Sequence, residues 1–197
     1  MKTNFKSIIL GAALIITSSG IATATEATIK VNENETFELK LTDISDATQV
    51  SVKTNTGKIL FEDKIVSKND YSKKFNFELL EEGTYYVTVE DSRSIKTLPL
   101  ELGKNQLVYN EMKMIEKYKP SVMQKGSMLY VNYFTPEKSS LDVSIYNSKG
   151  ELVYSEILAG KMTQGKGYDF SKSPKGEYTI ALASDGKQYS HSINLEQ

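Results

Sequence analysis

The chain has no cysteine and no tryptophan, and only one histidine and four prolines in 197 residues. Without cysteine there is no disulfide, no thiol nucleophile and no thiolate-bound zinc or iron–sulfur centre. A bacterial lipid anchor, which requires a cysteine at the mature N-terminus, is excluded as well. The single imidazole, His191, leaves any metal site to carboxylates and gives a Ser-His-Asp arrangement one candidate near the chain end. No G-x-S-x-G elbow, P-loop or Rossmann fingerprint occurs. Charge of one sign is also missing: 24 basic residues face 25 acidic ones, for a net charge of −1. That balance gives no electrostatic basis for binding nucleic acid or an anionic membrane surface.

The one long apolar run, Ile8 to Ile16, is too short for a permanent membrane span. It follows Lys2 and Lys6 and precedes Ala22-Thr23-Ala24, which fits an A-x-A cleavage site. This order reads as a secretory signal peptide over residues 1–24. Removing Lys2 and Lys6 with it leaves 22 basic and 25 acidic residues, a formal charge of −3. The expected address is the periplasm or the cell exterior, with no transmembrane segment after cleavage.

What the chain does contain is alternation. Phe37, Leu39 and Leu41 share one face of a run, as do Tyr85, Val87 and Val89, and Leu141, Val143 and Ile145. Period-2 patterns mark strands with one buried face. Turn signals at Asn55-Thr56-Gly57, Glu82-Gly83, Ser148-Lys149-Gly150, Lys175-Gly176 and Asp185-Gly186 cut the chain into short pieces. Strands are expected near 27–32, 35–42, 48–54, 58–64, 73–79, 84–91 and 94–102. A second set is expected near 119–125, 127–134, 141–147, 151–158, 167–171, 177–184 and 187–195. Seven strands in about 80 residues suit a two-sheet sandwich.

The two sets superpose at an offset of 93: Val50 on Val143, Gly57 on Gly150, Phe77 on Phe170, Gly83 on Gly176 and Tyr85 on Tyr178. These are core and turn positions, so both halves are expected to share one fold. The expected class is all-β, with two tandem immunoglobulin-like (fibronectin III-like) sandwiches. Domain 1 takes residues 25–103 and domain 2 residues 119–197. Residues 104–118, richer in charge and holding Met112, Met114 and Ile115, are expected to form a linker.

Gly83-Thr84-Tyr85 and Gly176-Glu177-Tyr178 are assigned a structural role. Immunoglobulin-like domains place a tyrosine here whose hydroxyl bonds back to the preceding corner. Two residues on, where antibody domains have a cysteine, this chain has Val87 and Ile180. His191 shares the register of Leu98 and is expected to point toward the core. The loop acids Asp43, Asp46, Asp63, Asp70, Asp91 and Asp185 form no D-x-D-x-D loop of the kind calcium takes. No catalytic, metal-binding or cofactor-binding residue is assigned, and no cofactor is expected. Tyr146 falls out of register with Val143 and Ile145, so it is expected on the outer face as a candidate for surface binding.

The stretch Val143-Ser-Ile-Tyr-Asn-Ser-Lys-Gly150-Glu-Leu-Val-Tyr154, then Tyr168-Asp-Phe170, then Lys175-Gly-Glu-Tyr-Thr-Ile-Ala-Leu182 resembles the immunoglobulin-like, C-terminal sorting-type modules of secreted Bacteroidetes proteins. Val50–Phe61 and Gly83–Val89 resemble them more weakly. The chain ends Ser192-Ile-Asn-Leu-Glu-Gln197, without the short basic stretch, lysine included, that many sorting signals carry at their end. The resemblance implies a β-sandwich and bacterial export. The expected function is a non-enzymatic exported binding or structural module with a protein or carbohydrate partner. A secretion-linked sorting domain is the second reading and a small carboxylate hydrolase the third.

Overall fold

A computed structural model describes residues 25–44, 47–66 and 70–195. The expected signal peptide and Asp46 lie outside the described residues. The rest falls into two compact units, 25–119 and 120–195.

In the first unit the strands are β1 (Glu26–Val31), β2 (Thr36–Thr42), β3 (Thr48–Thr54), β4 (Ile59–Ile65), β5 (Tyr71–Asn76), β6 (Gly83–Glu90), β7 (Ser94–Gly103), β8 (Gln106–Tyr109) and β9 (Ile115–Tyr118). One sheet has the order β1-β2-β5; the other runs β4-β3-β6-β7-β8, with β9 also on β7. All pairs are antiparallel. Alternation decides which side chains enter the space between the sheets. Phe37, Leu39 and Leu41 come from one side, and Val50, Val52, Val87, Leu98 and Leu100 from the other, all essentially without solvent contact. Phe37 stacks on Phe75 at 4.8 Å and meets Phe77 edge-on at 5.2 Å, geometries that aromatic quadrupoles favour.

The second unit has β10 (Ser121–Lys125), β11 (Met128–Phe134), β12 (Leu141–Asn147), β13 (Leu152–Leu158), β14 (Thr163–Asp169), β15 (Gly176–Ser184) and β16 (Lys187–Leu195). Its sheets are β10-β11-β14 and β13-β12-β15-β16. Leu129, Val131 and Tyr168 face Val143, Ile145, Ile180 and Leu182 across its core. Numbered by position in the chain, both units place strands one, two and five in one sheet and four, three, six and seven in the other. This division is that of a fibronectin III-like sandwich of the immunoglobulin-like class. The likeness extends to an irregularity. The third and fourth strands slip register between Val52 and Lys53 in the first unit, and between Ile145 and Tyr146 in the second, 93 residues on. A bulge at that point bends the edge strand and increases its twist.

Two details differ from the sequence reading. The strand expected at 167–171 runs Thr163–Asp169, because pairing with β11 starts at Phe134↔Thr163. Phe170 has already left the ladder, its N–H donating to Ser127 O. The stretch 104–118, expected as a linker, is part of the first sheet. β7 turns back at Asn105, and β8 pairs with its C-terminal half while β9 pairs with Ser94–Thr97. Between them a 3₁₀ turn at Glu111–Lys113 is capped by the Asn110 side chain, which accepts from Met112 N. Leu107, 6% exposed, drops into the core opposite Leu102, and Met114 packs against the same cluster. Pairing a strand edge satisfies its N–H and C=O groups and closes it to other chains. Leu107→Ala is therefore expected to cost about 2–5 kcal/mol in urea denaturation. A residue of a mere joint would stay within about 0.5 kcal/mol.

Candidate functional site

The Gly-x-Tyr turns open the sixth strand of each sandwich. Gly83 has φ 152° and Gly176 φ 130°, conformations open to glycine and strained for other residues, although a Cβ at either position would meet no atom within 4 Å. The turn aims the next-but-one side chain inward and back. The Tyr85 hydroxyl donates to Glu81 O at 2.7 Å, and the Tyr178 hydroxyl donates to Pro174 O at 2.8 Å. The rings lie 4.9 Å from Phe77 and 5.2 Å from Phe170. Burial raises both phenol pKa values, helped at Tyr85 by the charge of Glu81. Each tyrosine thus pins the corner before the sixth strand to the core by one part-buried hydrogen bond.

His191 pairs with Ile180 as Leu98 pairs with Val87, and burial lowers its pKa. Among the described residues no three His, Asp or Glu side chains gather in a way that would hold a metal ion. Nor is any helix among them long and apolar enough to cross a membrane.

Tyr146 lies on the outer face of β12, half-buried, between Leu152 of β13 and Thr179 of β15. It borders two shallow grooves. One, of about 460 Å³, is floored by Ser144, Ala181, Ala183 and Ser190, with Asp142 at its side. The other, of about 370 Å³, runs past Asn147, Glu177, Thr179 and Ser192. Small side chains on three neighbouring strands leave the sheet flat there, with the rings of Tyr146 and Tyr189 and the Gln188 side chain at its edges.

A second polar corner was not singled out from sequence. Asp91, 5% exposed, accepts from Arg93 N at 2.8 Å and Ser94 N at 2.7 Å in the β6–β7 turn, and from Thr25 N at 3.3 Å. Burial alone would raise the pKa of its carboxyl; the N–H donors of Arg93, Ser94 and Thr25 outweigh burial and hold it low. Lys96 Nζ donates to Thr25 O at 2.7 Å and lies 3.6 Å from Glu116. Lys119 Nζ donates to Asp91 O at 2.6 Å and pairs with Glu90 at 2.7 Å. The local signal, an Asp followed at two and three residues by donors within a turn, was present as Asp91-Ser-Arg-Ser94. The contact to Thr25, 66 residues away, had no local signal.

Strand order and tyrosine corners define the class: an immunoglobulin-like sandwich, present twice. The family described as "Secretion system C-terminal sorting domain" matches residues 24–99 and again residues 126–196. The chain belongs to that family. No curated protein matches it. Among solved structures, similarity extends over 87% of the chain to the BSP domain of a biofilm associated protein, at 14% identity and a TM-score of 0.29, covering 29% of that chain. The FN1-FN3 domains of chicken CNTN1 match at 11% identity and a TM-score of 0.32, with 65% of that chain covered. Titin Ig tandem domains match at 14% identity and a TM-score of 0.26, with 97% covered. The chain thus spans less than a third of the first of these and under two thirds of the second. The fold assignment rests on the strand order above.

Tyr85→Phe and Tyr178→Phe each remove the hydroxyl that donates to the corner carbonyl. Each is expected to lower stability by about 1–3 kcal/mol in chemical denaturation.

Proposed function

We propose that this chain is an exported, non-catalytic protein whose paired sorting-type sandwiches serve delivery to, and recognition at, the bacterial cell surface. The observation that carries this reading is the double family match, once over β1–β7 and once over β11–β16. Residues 1–24, read as an export signal, support the same compartment. Among the described residues no three His, Asp or Glu side chains gather as a metal-ligand cluster, and the tyrosine and Asp91 hydrogen bonds tie strands to turns. The test is delivery. Residues 25–197, placed behind an exported reporter in a host with a sorting-type secretion route, should carry the reporter past the outer membrane. A reporter retained in the periplasm overturns the proposal.

A second reading concerns what the surface recognises, and Tyr146 favours it. A phenol ring standing beside a flat floor of Ser and Ala matches the face of a sugar ring, which stacks on aromatic groups. Tyr146→Ala is expected to change stability by no more than about 0.5 kcal/mol. It should remove the binding of the mature protein to any glycan it retains on an array. Retention unchanged by the substitution sinks this reading.

A further inference from the structure

The corner around Thr25 bears on how the chain is processed. The A-x-A motif Ala22-Thr23-Ala24 places the cleaved bond between Ala24 and Thr25. Thr25 is 1% exposed, and its nitrogen lies 3.3 Å from Asp91 Oδ2, itself on a residue 5% exposed. In the uncleaved chain that nitrogen is a neutral amide with one N–H. Hydrolysis adds a hydroxyl to the Ala24 carbonyl and a hydrogen to the Thr25 nitrogen. The nitrogen becomes an α-amine with a reference pKa of about 8, which takes up a proton at neutral pH.

We propose that cleavage after Ala24 is a maturation step that sets the Thr25 α-ammonium against the Asp91 carboxylate, and that this ion pair fastens the start of the first sandwich to its β6–β7 turn. The inference rests on the reading of residues 1–24 as an export signal. Of the backbone N–H donors that hold this carboxylate, from Thr25, Arg93 and Ser94, only the Thr25 nitrogen becomes a cation on cleavage. The other charges facing the corner are Glu90 of β6, Arg93 of the turn, Lys96 of β7, Glu116 of β9 and Lys119. Lys96 is engaged with Thr25 O and Glu116, and Lys119 with Asp91 O and Glu90. These contacts hold the carbonyl of Thr25 and the backbone of Asp91 in place, so the new charge arrives in a positioned site. The link also joins the two sheets, since β1 belongs to one and the β6–β7 turn to the other.

The pair has a defined pH window. The pair needs both partners charged, and a free α-amine has a reference pKa of about 8. The pair's contribution is therefore lost as pH rises through the range in which the amine gives up its proton. The low folded-state pKa of Asp91 sets the other limit: its contribution is lost as pH falls below the ordinary carboxylate range.

The test starts with N-terminal sequencing of the exported protein, which should begin at Thr25. Urea denaturation then compares residues 25–197 with a free Thr25 amine, the same chain acetylated at that amine, and a chain beginning at Ala24. At pH about 7 the first should have a folding equilibrium constant roughly tenfold above the other two. The gap should close by pH about 10 and vanish in the Asp91→Asn background. Should Asp91→Asn fail to fold, the acetylated and free forms decide the question alone. A different first residue, equal stability of the free and acetylated forms, or a gap that survives Asp91→Asn overturns the inference. A chain left full-length in the cytoplasm overturns it together with the export reading. Processing at Ala24 without a stability gap overturns this inference and leaves export standing.

Discussion

With no cysteine in the chain, the two sheets of each sandwich are held together by the interlocking of their inward side chains. Val87 and Ile180 stand where an antibody domain has one end of its inter-sheet bridge, and both are fully buried. Burying a side chain of this size stabilises by about 1.5–3 kcal/mol relative to leaving it in water. A disulfide gains most of its effect by restricting the unfolded chain, whereas these residues act in the folded state and only when the packing around them is complete. That requirement accounts for the pattern of agreement between the two units. From the third strand on, inner faces and tight turns coincide at an offset of 93, and the inward residues of the second strands align 92 apart (Phe37 with Leu129, Leu39 with Val131); outer faces and loops mostly differ.

The ends of the sandwiches are governed by polar bonds. At each Gly-x-Tyr turn the backbone conformation permits the tyrosine to reach a carbonyl four residues back, so ring and hydroxyl serve core and corner together. The Asp91 corner does comparable work at the other end of β6. It satisfies turn N–H groups that would otherwise be buried without partners. The units differ at the edge of their seventh strand. β7 is covered by β8 and β9, while β16 pairs only with β15 among the described strands. The outward side of each sheet is under neither constraint. There Tyr146 keeps a half-exposed ring among small side chains.

Much of the architecture was legible residue by residue. Phe37, Leu39 and Leu41 alternate strictly, and their strand and facing were both readable. The tyrosine corners were readable because glycine, tyrosine and the following apolar residue lie within five positions. Residues 104–118 do not read as strands because β8 and β9 are four residues each and their partner is β7 along its free edge. Four residues carry too little alternation to stand out, and Met112, 91% exposed, breaks the pattern between them. The boundaries of β14 slipped for a related reason: Gly165 and Gly167 add no hydrophobic signal, and only pairing with β11 identifies the strand.

The sequence by itself determined the all-β class, the seven-strand rhythm and the turn glycines, because each depends on residues a few positions apart whose periodicity or backbone freedom acts locally. The tertiary structure alone decided which strands share a sheet, which edge β8 and β9 cover, and that Thr25 meets Asp91. Those outcomes depend on contacts between residues far apart in the chain, and such contacts exist only once two apolar faces have closed on one another and fixed the register of everything attached to them.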